Sequence, residues 1–227
     1  MIRLFDFILS LFALIVLSPV FLIVIPILSL TGEGEIFYLQ KRIGKNGKTF
    51  KIIKFVTMTK NSEFMEGGTI TVENDPRILP IGHFLRASKI NELPQIINIL
   101  IGDMSIIGPR PLTEETISYY EENAKKIVLS VKPGLSGIGS IIFRNEQELL
   151  EKTEDRHKFY SEYIAPYKLE LELWYVEKRT LALNFLLIFL TLSAVLIKGS
   201  QYHWRFFKSL PEPPLKLKKT LQYSVRS

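Results

Sequence analysis

From Phe7 to Gly32 the chain carries no charged side chain. A helix over those residues would reach about 39 Å, long enough to enter or cross a bilayer core. Proline removes a backbone donor and clashes with the preceding turn, so Ser18-Pro19 near the middle and Pro26 beyond it predict a bend. Basic residues flank both ends, Arg3 on one side and Lys41 and Arg42 on the other. A crossing segment keeps its positive charge on the cytoplasmic side, so a re-entrant helical hairpin with both ends on one face is expected. The run is too long for a cleaved signal peptide, and no small-residue cleavage site follows it. A second apolar block, Leu181 to Ile197, is interrupted by Asn184, Thr191 and Ser193 and is short for a span. It suits a helix lying in the interface, with Trp174, Tyr175, Tyr202 and Trp204 as headgroup-level aromatics, although core packing accounts for Trp174 and Tyr175 equally well.

Charge divides the chain. Residues 198–227 hold seven basic side chains (Lys198, Arg205, Lys208, Lys216, Lys218, Lys219 and Arg226) against Glu212, which accounts for the whole net charge of +6. The body is therefore neutral, which argues against a nucleic-acid-binding face. The basic tail would be drawn to anionic lipid headgroups by roughly 1 kcal/mol per residue near the surface, the alternative being a solvated, disordered Lys-rich end. No cysteine is present, which excludes disulfides, thiolate nucleophiles and cysteine-bound metals. The expected organisation is a membrane helix over 1–32, a cytoplasmic domain over 33–197 and a basic tail over 198–227.

The soluble part reads as α+β and mainly helical. Ile36–Gln40 and Thr49–Phe55 are strand-like around Lys45-Asn46-Gly47-Lys48, and Asn-Gly is the strongest short hairpin signal. Residues 60–80 are loop-like, punctuated by Gly67-Gly68 and Asn74-Asp75-Pro76. In Asn91–Ile101 the spacing of Leu93, Ile96, Ile97, Leu100 and Ile101 predicts a buried helical stripe. Asn91 would then be the N-cap, Pro94 would sit in the first turn, and Asn91, Gln95 and Asn98 would share a polar face. Gly108 and Arg110 each precede a proline and are pushed to extended backbone, which presents Arg110 stiffly. Thr113 caps a helix expected to reach Val128, Lys132-Pro133-Gly134 breaks the chain, and residues 145–179 read as charged helix.

A helix start at residues 91 and 92, with Arg86 before it and Arg110 after it, suggests a phosphate site, because free amides and guanidinium forks both hold phosphate oxygens. Glu92 or Asp103 would let Mg²⁺ bridge protein and diphosphate. Lys54 is a further phosphate candidate, although a lysine on a strand face is commonly just solvated. Surface pairing of each arginine with a carboxylate is the alternative.

Phe84-Leu-Arg-Ala-Ser-Lys-Ile-Asn-Glu-Leu-Pro-Gln95, followed by Gly102-Asp-Met-Ser-Ile-Ile-Gly-Pro-Arg-Pro111, resembles the bacterial sugar transferase family, the monotopic polyisoprenyl-phosphate hexose-1-phosphate transferases. The likeness extends to Gln40–Gly44, Phe50–Met58, Asn74–Arg77 and Lys132–Gly137. It implies a re-entrant helix at the cytoplasmic face of a bacterial inner membrane. It also implies Mg²⁺-dependent transfer of a hexose 1-phosphate from a UDP-sugar to a polyprenyl phosphate, with release of UMP. The family pattern has Asp-Glu where this chain has Asn91-Glu92, and that Asp is the nucleophile. Val56 replaces a usual Arg, and Asn184 a common Asp. Four readings of Asn91 stay open: Glu92 as nucleophile, direct attack by the carrier phosphate, a non-catalytic binder of nucleotide sugar or carrier lipid, and a plain N-cap. The site expected is Asn91 and Glu92 for chemistry, Arg86, Arg110 and Lys54 for phosphate, and Glu92 and Asp103 for metal.

Overall fold

The structure, a computed structural model, describes residues 2–31, 33–62, 65, 75–151, 153, 155–196, 206–207, 209–218 and 220–221. Gly67-Gly68, Asn74, Tyr202, Trp204 and the basic Lys198, Arg205, Lys208, Lys219 and Arg226 lie outside the described residues. The fold is mainly helical α+β, in two compact units: residues 1–41 with 50–102, and residues 42–49 with 103–227. The boundary falls after Gly102, within the expected 33–197 domain.

In the first unit, α1 (Ile2–Leu30) is one helix with Pro19 and Pro26 inside it. The helix runs on through Ser18-Pro19. Pro19 cannot bond the Ile15 carbonyl, and the Ser18 hydroxyl donates to that carbonyl at 2.7 Å instead. Asp6 and Ser10 near one end and Val24 and Leu28 near the other are buried, whereas residues 11–23 include no buried side chain. The strands β1 (Phe37–Ile43) and β2 (Thr49–Phe55) form a two-stranded sheet. The expected turn joins them: Asn46 and Gly47 take φ of 56° and 76°, a left-handed pair that Asn-Gly adopts readily. Phe55 packs between Phe21 and Phe37 and shares a small core with Val24, Leu28 and Leu85.

Next come α2 (Pro80–Ala87), a 3₁₀ turn (Ile90–Glu92) and α3 (Gln95–Ile101). The predicted face of α3 is rotated. Ile101 is 63% exposed and Leu93, Ile97 and Leu100 are half-buried, while Asn91, Gln95 and Asn98 are buried together with Ile96 and Ile99. The reason is β2: Asn98 Oδ1 accepts from the Ile53 N–H at 3.0 Å, and its Nδ2 donates to the Lys51 carbonyl at 2.8 Å. The side-chain amide thus serves a strand edge, which only a buried polar face can do.

In the second unit, β3 (Ser105–Ile107) pairs in parallel with β4 (Gly134–Ser136), Ser105 opposite Gly134 and Ile107 opposite Ser136. Lys132-Pro133-Gly134 therefore leads into a strand and does more than interrupt a helix. Gly108, Gly134 and Gly137 bring backbones together: a Cβ on Gly134 would lie 2.1 Å from Gly108 N, and one on Gly137 2.3 Å from Gly108 O. Thr113 caps α4 (Glu114–Ser118) through a reciprocal capping box, but the expected helix is split, with α5 (Glu122–Val128) following Tyr119 and Tyr120. After α6 (Ile138–Ile142), α7 (Glu146–Glu151), α8 (Arg156–Phe159) and a π-helical turn (Tyr160–Ile164) come α9 (Ala165–Lys178) and α10 (Leu181–Leu196).

The core of this unit gathers Ile138, Ile164, Leu171, Tyr175, Leu187 and Leu190. Of the two places open to Tyr175, headgroup level and the core, it takes the core, and its hydroxyl donates to the Ile107 carbonyl at 3.1 Å. On α10, Phe185, Phe189 and Leu192 are exposed. Among the described residues beyond 205, Phe207, Leu210, Leu217 on α11 (Leu215–Lys218) and Leu221 are buried in the core. Tyr167 donates to the Pro211 carbonyl and Trp174 to Ser209. Lys216 and Lys218, expected to reach lipid, hydrogen-bond Tyr163 and Glu212.

Candidate active site

Residues 57–59 run beside residues 77–79, through bonds from Leu79 N–H to Thr57 O and Thr59 N–H to Arg77 O. At Gly82 the start of α2 lies directly on the Thr57 backbone, where a Cβ would come within 2.2 Å of Thr57 O. This seats Arg86, one turn further on, over Thr57, Asp75 and Arg77.

The two arginines differ. Arg77 is buried and fully served: Nε and Nη2 donate to the Asp75 carboxylate at 2.8 and 2.6 Å, and Nη1 to the Ser62 carbonyl at 2.7 Å. The bonds to Asp75 raise its pKa further. Arg86 is half-buried, and its Nη1 reaches the Thr57 hydroxyl at 3.5 Å, a weak contact. Burial lowers its pKa, while the charges of Asp75 and Glu92 act in the opposite sense. Among the described residues no carboxylate closes on it at ion-pair distance.

Asn91 is not an N-cap. The helical turn begins one step earlier, with Lys89 in the left-handed region at φ 61°, so Asn91 falls inside the turn. It is buried, and its Oδ1 meets no hydrogen-bonding partner. Glu92 follows it, half-buried. An orphaned amide oxygen beside a carboxylate suits a hard cation that also carries phosphate ligands, so Mg²⁺ fits these two residues. Among the described residues there is no cluster of three or more acidic or histidine side chains of the kind that holds a metal unaided. Lys54 is half-buried on β2.

Asp103 and Arg110 belong to the second unit. Asp103 is half-buried on the turn before β3, and Arg110 is exposed between Pro109 and Pro111. A shallow dimple of only about 10 Å³ beside Arg110 is otherwise apolar, lined by Ile43, Leu112, Val128, Leu129 and Pro133 among others. Beneath this loop lies a cluster missed in the sequence. The Arg110 backbone N–H faces Glu172 Oε1 at 3.4 Å, and Lys168 pairs with Glu146 at 2.6 Å. Burial pushes Glu172 up to about 7, against the pull of the Arg110 N–H and of the Lys168 and Arg110 charges, and burial lowers Lys168. Glu172 lies with Leu171 and Tyr175 among the buried residues of α9, and a Glu beside Leu171 in a charged helix carries no signal of that burial. Asn184 is buried, with Oδ1 bonded to the Tyr175 hydroxyl and Nδ2 without a partner. In the first unit, the Asp75–Arg77 pair lay inside the Asn74–Arg77 motif, but nothing in the sequence marked it as buried.

The first unit thus holds a half-buried guanidinium near two carboxylates, and the second an exposed arginine between two prolines. The chain belongs to the bacterial sugar transferase family, whose model matches residues 1–198. It is 34% identical to an exopolysaccharide production protein, ExoY, of Sinorhizobium fredii, over 88% of this chain and 87% of that one. It is 34% identical to a UDP-glucose:undecaprenyl-phosphate glucose-1-phosphate transferase of Klebsiella pneumoniae, and 29% to an undecaprenyl-phosphate galactose phosphotransferase of Salmonella typhimurium. It matches 41% of the length of each of these two. It is accordingly a transferase, and the non-catalytic alternative is not favoured.

Proposed function

We propose that this protein transfers a hexose 1-phosphate from a UDP-sugar to a polyprenyl phosphate at the cytoplasmic face of the bacterial inner membrane, in polysaccharide assembly. The observation that carries this reading is Arg86. Its desolvation is already in place, and among the described residues Asp75 and Glu92 act on it only from beyond ion-pair distance, so a diphosphate entering beside Thr57 would gain a strong, charge-assisted partner. Names of relatives that act on undecaprenyl phosphate support the carrier.

In the reaction, an oxygen of the polyprenyl phosphate attacks the β-phosphorus of the UDP-sugar. The bond from that phosphorus to the bridging oxygen breaks, and UMP leaves with the electron pair. The products are a polyprenyl diphosphate sugar and UMP. A carboxamide has no anionic oxygen with which to form an acyl phosphate, so residue 91 does not carry the sugar phosphate. Arg86 stabilises charge on the non-bridging oxygens. Bound Mg²⁺ would neutralise diphosphate charge, held by Glu92 and the Asn91 amide oxygen. The middle of α1, apolar and unburied, enters the bilayer, and the exposed Phe185, Phe189 and Leu192 face of α10 rests at its surface. Membrane-reconstituted protein, a UDP-sugar panel, polyprenyl phosphate and Mg²⁺ test the reading. UMP release that requires the carrier and falls at least tenfold in Arg86→Ala is the expected result; no release with any UDP-sugar refutes it.

A further inference from the structure

The proposed reaction does not use the carboxyl buried on α9. Glu172 is 4% exposed, among side chains such as Leu171 and Tyr175. Its Oε1 occupies space that Gly139 leaves open, since a Cβ there would lie 2.6 Å from it. Its Oε2 is buried with no partner. A buried, incompletely satisfied carboxyl weakens a fold that apolar side chains would hold better, so its presence points to a role beyond stability.

That role is visible in the loop above. Pro109 and Pro111 have no N–H, so the Arg110 amide is the only backbone donor of the Pro109-Arg110-Pro111 tripeptide. The two proline carbonyls are served elsewhere: Pro109 O accepts from Gly134 N–H at 2.8 Å and Pro111 O from Arg42 at 3.3 Å. The one remaining donor faces Glu172.

We infer that Glu172 is a positioning residue for Arg110, anchoring the Arg110 backbone from the core side and so fixing where its guanidinium stands to meet a nucleotide diphosphate. This rests on the transferase reading above and on the phosphate-binding role that the sequence suggests for Arg110. The charged and titratable groups near Glu172 are Lys168 on its own helix, paired with Glu146 of α7, then Arg110 and Tyr120, whose pKa the Glu172 charge helps to raise. Tyr160 starts the preceding π turn, and α5 carries Glu122, Lys125 and Lys126, the first two paired at 2.6 Å. The α6 segment brings no ionisable group.

Glu172→Leu and Glu172→Gln, in the full chain in nanodiscs, separate positioning from stability. Removing a buried carboxyl leaves thermal stability equal or higher, whereas the KM for UDP-glucose rises roughly tenfold in Glu172→Leu and less in Glu172→Gln, which keeps an acceptor oxygen. Parent KM in Glu172→Leu overturns the inference. A second arm does not need turnover. With ¹⁵N-arginine label, the Arg110 amide resonance moves with pH around neutrality in the parent and stays fixed in Glu172→Gln. An amide that is flat from pH 5.5 to 8.5 also overturns the inference. If the parent transfers nothing, equilibrium binding of UDP replaces KM. Loss of UDP affinity in Glu172→Leu then upholds the positioning while the transferase reading alone falls, and unchanged affinity overturns it.

Discussion

The Arg3 guanidinium donates to the Ile99 carbonyl at 2.5 Å and to that of Leu100 at 2.7 Å, tying the first turn of α1 to the last turn of α3. Val24 and Leu28, near the far end of α1, pack against Phe55 and Leu85 of the same unit. Both ends of an apolar helix are thus held by one body while its middle is left uncovered. Single cysteines at Ile2 and Lys51 should therefore label from the same side of the membrane in spheroplasts and inverted vesicles. Labelling from opposite sides would rule out the re-entrant arrangement.

Asn98 should be among the costly polar positions of the first unit. Asn98→Leu deletes two hydrogen bonds and strands the Ile53 N–H and the Lys51 carbonyl against α3, a loss of about 2–4 kcal/mol. Chemical denaturation in detergent should show it, whereas a substitution at the exposed Ile101 should change the midpoint little.

The contrast between these two residues shows how far periodicity reaches. Local chemistry was legible: the Asn46-Gly47 turn, the Thr113 cap and the long apolar helix stand where the sequence put them. The face of α3 was misread, because apolar spacing says which stripe prefers burial but not that a strand edge nearby requires an amide. Arg86 and Arg110 were found as exposed or half-exposed cations near prolines and helix ends. Glu172 was not, because its environment comes from Gly139 and Arg110, far away in the chain. In the described part of the tail, lysines dominate the composition, but the buried Phe207, Leu210, Leu217 and Leu221 decide its place.

Leu217 is fully buried, and Tyr167 and Trp174 hold the neighbouring segment. Leu217→Ala should cost about 2–5 kcal/mol, and truncation after Ser200 should lower thermal stability by at least as much. A high-salt wash should leave the intact protein on the membrane, since α1 and not the tail supplies the apolar contact. A truncated protein that melts with the parent would show the tail to be a detachable appendage.

Glu172 also makes stability depend on pH. Its pKa in the folded chain is pushed up to about 7, above the usual carboxylate value, so the folded state binds the extra proton between about pH 4.5 and 7. Stability from this group is present below that range and is lost as pH rises through it, by at most about 3 kcal/mol. Unfolding midpoints of the parent should fall from pH 5 to 8 more than those of Glu172→Gln. Parallel curves would show that the carboxyl is not held in an apolar environment.

The last prediction concerns Asn91. Since its side chain is buried inside the turn and does not cap it, Asn91→Asp places a carboxylate where an amide oxygen already lacks a partner. In the free protein this should lower stability by about 1–3 kcal/mol, through desolvation and the charge of Glu92 next along the chain. A carboxylate at this position could accept the phosphosugar covalently, as the amide cannot. The variant should then release UMP without carrier lipid and yield an adduct of sugar phosphate mass on residue 91, whereas the parent should release UMP only when the carrier is present. Glu92→Gln should abolish turnover in both backgrounds. Full activity of Glu92→Gln, together with an Asn91→Asp protein that needs carrier and forms no adduct, would show that this turn serves the fold alone and that the chemistry lies elsewhere.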